Sequence, residues 1–209
     1  MAVYTQIDNP ELWFQCKAYS GTGSSLALTF DGSENMSANM VWLKCRSHSG
    51  NQFLYDTIRG ANRSLVPNDT DTEDTSGEST NYLTSFDSDG ITLGGSYNNT
   101  NASGRTYIAW CWKESATAGF DIVTFTGNQT ARTISHSLSA KPELLLIKNR
   151  EKVESWHMQH GALGATQTHE FNTNNVFGGG SSIWNDTEPT TDVFSVGNNG
   201  NINETGSDI

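Results

Sequence analysis

The chain has 209 residues, enough for one large all-β domain or two domains of about a hundred residues each. It carries 12 Lys and Arg against 23 Asp and Glu, a formal charge of −11 with a pI near 4.7, which argues against a nucleic-acid groove or an anionic membrane surface as partner. Apolar residues make up 34% and charged residues only 17%, so Asn, Thr, Ser and Gly fill the rest, a composition of turns and short strands; no apolar run reaches the roughly 18 residues of a membrane span.

In chain order, the opening MAVYTQIDNPELWF has no basic region followed by an apolar stretch. The expectation is synthesis in a cytoplasm without a signal peptide, with residues 1–14 as a lead-in. Without a secretory route, the sequons at Asn62, Asn101 and Asn128 are by-products of an Asn- and Thr-rich composition. Cys16, Cys45 and Cys111 are odd in number, lack CxxC spacing and read as buried free thiols. The runs MVWLKC (40–45), YIAWCW (107–112), FDIVTF (120–125) and LLLIKN (144–149) are short, aromatic or β-branched and bounded by Gly, Asn, Asp or Pro. They read as strands. Turn signals stand at SDG (88–90), where Gly90 can take a positive φ, at GNQ (127–129) and at GNNGN (197–201). Pro142 fits the start of a strand, where its missing N–H is tolerated. The best helical candidate, NREKVESWHMQ (149–159), is short, and WHMQH reads equally well as a strand with alternating faces.

Aligned with itself, the chain gives four colinear matches. AYSGTGS at Ala18 pairs with TFTGNQT at Thr124, VWLKCR at Val41 with LLIKNR at Leu145, DGITLG at Asp89 with DVFSVG at Asp192, and NASG at Asn101 with NETG at Asn203. The offsets are 106, 104, 103 and 102 (124 − 18, 145 − 41, 192 − 89, 203 − 101). A slow, one-way drift is what two copies of a module give when loops shorten. The expected fold is therefore all-β, as two tandem antiparallel β-sandwich modules related by an internal repeat, the first over 15–115 and the second over 119–209.

Candidate chemistry is sparse. The loop VPNDTDTEDTSGE carries Asp69, Asp71, Glu73, Asp74 and Glu78, but no Gly stands sixth from Asp69 as a calcium loop requires. Mutual repulsion makes a solvated surface loop the reading. His157, His160 and His169 lie near Trp156, yet HMQH lacks the Glu and the spacing of a zinc helix. Trp156 reads as a core residue rather than a sugar platform. Lys44 with Arg46 and Lys148 with Arg150 take matching places after apolar strands, as structural ion-pair partners. GGGSS (178–182) has no Lys, and with no helix expected after it reads as a flexible loop, not a phosphate cradle; no nucleophile elbow or dinucleotide fingerprint is present. No catalytic, cofactor-binding or metal residue is assigned, and no glycan-binding residue can be named.

The series IDNPELWFQCKAYSGTGSS, MVWLKCRSHSGNQFLYDTIRGA, LTSFDSDGITLG and NASGRTYIAWCWK, followed by KPELLLIKNR, SWHMQHGALGAT and WNDTEPTTDVFSVG, resembles a repeated domain of virion proteins from marine and cyanobacterial phages, of tail-fibre type. The resemblance covers nearly the whole chain. It implies a β-sandwich module on a phage particle, without a catalytic site and with no binding-site map to carry over. Cys45 departs from the Asn common at that place. The expectation is a non-enzymatic structural protein of the virion, in a tail fibre or capsid-associated fibre, with host-receptor binding as a further role. Its partners would be other virion proteins and copies of itself, most simply as a trimer, with a host surface glycan as a further ligand and neither nucleic acid nor membrane insertion. A lectin-like carbohydrate-binding module is the alternative, and a polysaccharide-cleaving enzyme a third reading. By the repeat, Ile209 falls opposite Tyr107, so the expectation is that a further strand belongs after NINETGSDI, supplied by a longer chain or by a neighbour.

Overall fold

A computed structural model of the chain describes residues 7–75 and 82–209. In TYIAWCW the side chains of Tyr107, Ala109 and Cys111 are buried, while Ile108, Trp110 and Trp112 are half-buried. This period of two belongs to a strand with one face on a core. The same alternation runs through MVWLKC, and such segments pair antiparallel throughout. The chain divides into two compact units. One holds Met1–Leu65 and Asp74–Phe120, the other Val66–Glu73 and Asp121–Ile209.

The first unit contains β1 (Phe14–Ser20), β2 (Leu26–Thr29), β3 (Met40–Cys45), β4 (Phe53–Asp56), β5 (Leu83–Asp87), β6 (Gly90–Leu93) and β7 (Thr106–Trp112). The lead-in belongs to it: Asn9 caps a 3-10 turn at Pro10–Leu12, and Gln15 on β1 donates to the carbonyl of Glu11 at 3.0 Å. One sheet runs β1-β7-β3-β4 and the other β2-β6-β5. Tyr19, Val41, Leu43, Tyr55 and Tyr107 from the first and Leu28, Ile91 and Leu93 from the second are buried, as the facing sheets of a sandwich require. Two of the core tyrosines place their hydroxyls on backbone partners. Tyr19 donates to Thr100 O at 2.7 Å, and Tyr107 donates to Asn98 O at 3.0 Å while accepting from Ala102 N at 2.9 Å.

The second unit contains β8 (Arg132–Ser135), β9 (Leu144–Ile147), β10 (His157–His160), β11 (Gln167–Glu170), β12 (Val176–Gly178), the single-turn helix α1 (Gly180–Ile183), β13 (Val193–Val196) and the single turn α2 (Gly200–Asn203). Its sheets are β12-β11-β10-β9 and β13-β8. Ile134, Ile147, Ile183, Trp184, Phe194, Val196, Ile202 and Ile209 form its core, with Val123, Phe125 and Leu145 packed against it.

Several expectations need correction. FDIVTF does not form a strand, because a strand needs a neighbour along its length; Thr126, just after it, bridges only Asp208. LLLIKN is regular only to Ile147, where Lys148 folds its Nζ back onto the carbonyls of Asn149 at 2.8 Å and Lys152 at 2.6 Å. GGGSS does lead into a helix, the short α1, with Gly180 buried. NREKVESWHMQ is a turn followed by β10, so the alternating strand prevails over the helix.

The same pairings recur in the two units. Leu26 faces Leu93 and Leu28 faces Ile91 where β2 meets β6; Arg132 faces Val196 and Ile134 faces Phe194 where β8 meets β13. Leu43 faces Phe53, and Ile147 faces His157. A buried asparagine fastens each unit in the same way. Asn101 donates to Ser24 O at 2.6 Å and Gly94 O at 2.7 Å and accepts from Thr22 N at 2.9 Å. Asn203 donates to Thr130 O at 2.9 Å and Gly197 O at 2.6 Å and accepts from Asn128 N at 3.0 Å. Both amides thus meet every direction in which they can bond except one lone pair. The close approach needs glycine in both places: a Cβ on Gly21 would stand 2.2 Å from Ala102 O, and one on Gly127 2.1 Å from Glu204 O. The burial of Asn101 also leaves its sequon no room for a glycan.

Candidate functional surface

The alternation that buries Tyr107, Ala109 and Cys111 turns the larger apolar residues of β7 to the outside of the first unit. Register aligns them in rows across the sheet: Phe14–Trp112–Met40, Cys16–Trp110–Trp42 and Ala18–Ile108–Lys44. Phe14 is 39% exposed, Cys16 and Ala18 are exposed, and the tryptophans are half-buried. Phe14 and Trp112 lie 5.1 Å apart, tilted by 53°, and Trp42 meets Trp110 edge-on at 6.5 Å and 80°. Polar groups rim the rows. Trp42 Nε1 donates to Gln52 Oε1 at 2.7 Å, Lys44 Nζ donates to Gly50 O at 2.8 Å, and Lys113 Nζ stands 5.6 Å over the Trp13 ring.

An apolar centre rich in Trp with a polar rim is the anatomy of a contact surface. Steeply tilted rings present edges as well as faces, so they suit an uneven protein surface better than the flat side of a sugar chain. Sequence reasoning read these tryptophans only as strand formers. The signal was available: in YIAWCW and VWLK the larger apolar side chains fall on both faces of the strand, although one face suffices for a core.

The residues singled out from the sequence do not converge. In the acidic loop, Asp69 caps its own turn through Thr70 N at 2.8 Å, Asp74 accepts from Tyr82 OH at 2.7 Å, and Asp71 is exposed. Glu73 is buried within the second unit, 2.7 Å from Arg150, while its N–H donates to Arg150 O at 2.8 Å. Glu78 lies outside the described residues. The described part of the loop, 66–75, is therefore not wholly solvated: Val66 and Pro67 are buried, Trp156 Nε1 donates to Val66 O at 3.0 Å, and Glu154 N donates to Thr70 O at 3.0 Å, while Asn68 and Asp71 are exposed. The charges separate onto different partners instead of repelling one another.

Trp156 is a core residue, as expected. His157 is buried on the inner face of β10 with Gln159, beside Thr168 of β11, while His160 is exposed. Burial pushes the His157 imidazole down to about 4, against a smaller upward pull from Glu170. That ring is neutral at pH 7. Lys148 is buried too, and desolvation lowers its ammonium to about 8, opposed by Glu154 and Asp71. Arg150 is the structural ion-pair residue its place suggested, whereas Arg46 is exposed. Among the described residues no three His, Cys, Asp or Glu side chains are grouped closely enough to hold a metal ion, and no helix is long and apolar enough to cross a membrane.

A family model described as "Domain of unknown function (DUF7483)" matches residues 9–209. No curated protein and no solved structure matches the chain.

Proposed function

We propose, for a chain that belongs to this DUF7483 family, a non-enzymatic structural role in a tailed-phage particle, in a tail fibre or capsid-associated fibre. In this reading the two units are copies of one β-module, and the aromatic face of the first docks onto another protein of the particle. The observation that carries it is that face: three aligned rows centred on Trp112, Trp110 and Ile108, apolar in the middle and polar at the rim. The matching strand registers and asparagine fastenings of the two units support the tandem reading. The resemblance to phage fibre domains supplies the particle. Assembly as a homotrimer belongs to the same proposal.

Particles of a phage that encodes the chain are expected to contain it, by mass spectrometry, at the copy number of a structural component; its absence from them overturns the role. Trp110→Lys is expected to lower incorporation about tenfold or more, the effect of losing one well-packed interface anchor, with the melting temperature of the isolated protein unchanged. Light scattering on the isolated protein reads the trimer.

A lectin-like role is the second reading, favoured by the half-exposed Trp42 and Trp110 with the amide of Gln52 beside them. Saturable binding of one glycan by the isolated protein, lost in Trp110→Lys, would favour it over docking.

A further inference from the structure

The pairs β3–β4 and β9–β10 share a register but differ in what they bury. Val41 faces Tyr55 in the first unit, and Leu145 faces Gln159 in the second. Tyr55 and Gln159 are 0% and 3% exposed. A smaller side chain that ends in an amide thus stands at the register where the first unit buries a phenol ring.

Across β10 and β11, His157 faces Glu170 and Met158 faces His169. One step further along the same register Gln159 faces Thr168, and opposite residues of an antiparallel pair share a face, with Cβ atoms about 4.5 to 5.5 Å apart. Thr168 is fully buried. Yet neither Gln159 Nε2 nor Thr168 Oγ1 has a hydrogen-bond partner among the described residues. Side-chain length explains why these neighbours miss each other. The amide nitrogen lies three bonds from its Cβ and the hydroxyl oxygen only one, so the two polar ends stand at different heights above the sheet.

Adjacent side chains do not make up the deficit. Glu170 turns a carboxylate oxygen toward the turn after β11, where it accepts from Thr173 Oγ1 at 3.1 Å and from Asn175 Nδ2 at 2.9 Å. On β9, Leu145 and Ile147 are apolar and belong to the core of the unit. A buried donor left without an acceptor is costly, and native interiors rarely keep one. Polar groups that no side chain reaches are met by internal water, which needs roughly two to four polar partners.

We propose that Gln159 and Thr168 hold a buried water molecule on the inner face of the second unit, bridging the amide N–H to the hydroxyl. The water accepts from Gln159 Nε2 and shares a second bond with Thr168 Oγ1, which can donate or accept. The site takes a small neutral molecule that is both donor and acceptor. An ion would find no charged side chain in the row Leu145–Gln159–Thr168. In the first unit the ring of Tyr55 takes the corresponding place.

A crystal structure of the full chain tests the site directly: ordered water is expected within about 2.7 to 3.2 Å of both Gln159 Nε2 and Thr168 Oγ1. A direct bond between the two side chains overturns the proposal, and so does a dry interval between them. The companion measurement is the urea midpoint of the second unit in Thr168→Val, Gln159→Leu and the double variant. If the pair holds water, each single substitution strands the remaining partner and lowers the midpoint by about 0.5 M or more. The double variant, with nothing left to strand, recovers most of that loss. An unchanged or raised midpoint in either single variant marks groups that were dry, and losses that simply add mark groups that share no molecule; both overturn the proposal. Where a variant does not fold, the wild-type crystal decides alone.

Discussion

Phe53 and Tyr55 on β4, and His157 and Gln159 on β10, occupy the same register against the neighbouring strand: Leu43 faces Phe53 as Ile147 faces His157. All four side chains are buried. In the first unit the position holds stacked aromatics, with Phe53 6.4 Å from Tyr55 and 6.1 Å from Tyr82. In the second it holds an imidazole and an amide, with the hydroxyl of Thr168 buried nearby. The same strand pairing thus carries an aromatic interior at this place in one unit and a polar one in the other. The interior chemistry then sets how each unit responds to pH.

The largest effect is expected where the two units agree. Asn101→Ala and Asn203→Ala each remove three side-chain hydrogen bonds, one buried and two half-buried, and strip two carbonyls and one N–H of their partner, a cost of about 3 to 5 kcal/mol at the usual value of unmade bonds. Each substitution should speed hydrogen exchange in its own unit far more than in the other. Equal loosening of both by either variant would mean that the fastening is not local to a unit.

The next effect separates the units. The unfolded imidazole titrates near 6.5 and the folded His157 near 4, so between these values the unfolded state binds the extra proton. Stability from His157 is whole above pH 6.5 and falls as pH drops toward 4, by about 3 kcal/mol in all. The first unit is sensitive at the other end. Burial raises Tyr19 and Tyr55 well above the ordinary tyrosine value and raises Tyr107 as well, so its stability is intact below pH 10 and is lost as pH rises beyond it. Urea melts at pH 7 and 4.5 should show a loss confined to the second unit, and His157→Phe, which restores the aromatic of the first unit, should abolish that acid dependence. An unchanged pH slope in the variant would place the dependence on another group.

Strands β3 and β7 and the β-rich class were legible because both rest on local alternation, as MVWLKC and YIAWCW demonstrate. The colinear blocks located NASG and NETG, but nothing in those letters says that Asn101 and Asn203 are buried; an Asn in a polar turn usually faces water. FDIVTF misled because its pattern suits a strand, whereas pairing is settled by what lies beside it. The acidic loop misled because charge repulsion argues for solvent only when no cation waits, and Arg150 is distant in sequence. The aromatic face was half legible: the letters gave the tryptophans, and only the registers gathered them into rows.

Arg150 gives the next step down. Its bond to Glu73 at 2.7 Å joins side chains that are 14% and 5% exposed, so Glu73→Gln leaves a largely buried guanidinium with only the longer, more exposed pairing to Asp208 at 3.6 Å. A loss of about 1 to 3 kcal/mol in the second unit is expected, measured as a shift in its urea midpoint, and an unchanged midpoint would return the 66–73 stretch to the status of a surface loop.

The smallest effects come from the two lysines that the blocks align. Lys148 is buried with two carbonyl acceptors, and Lys148→Met trades those bonds for relief from desolvation, a net loss of about 1 kcal/mol at pH 7. Since its ammonium sits near 8 against 10.5 unfolded, the wild-type second unit gains stability as pH rises from 8 to 10.5, and Lys148→Met should not share that gain. Lys44 makes one exposed bond to Gly50 O, so Lys44→Met should change stability by less than about 0.5 kcal/mol. If the two substitutions cost the same, burial is not what distinguishes the aligned lysines, and the contrast must come from the turn at Lys148–Lys152 alone.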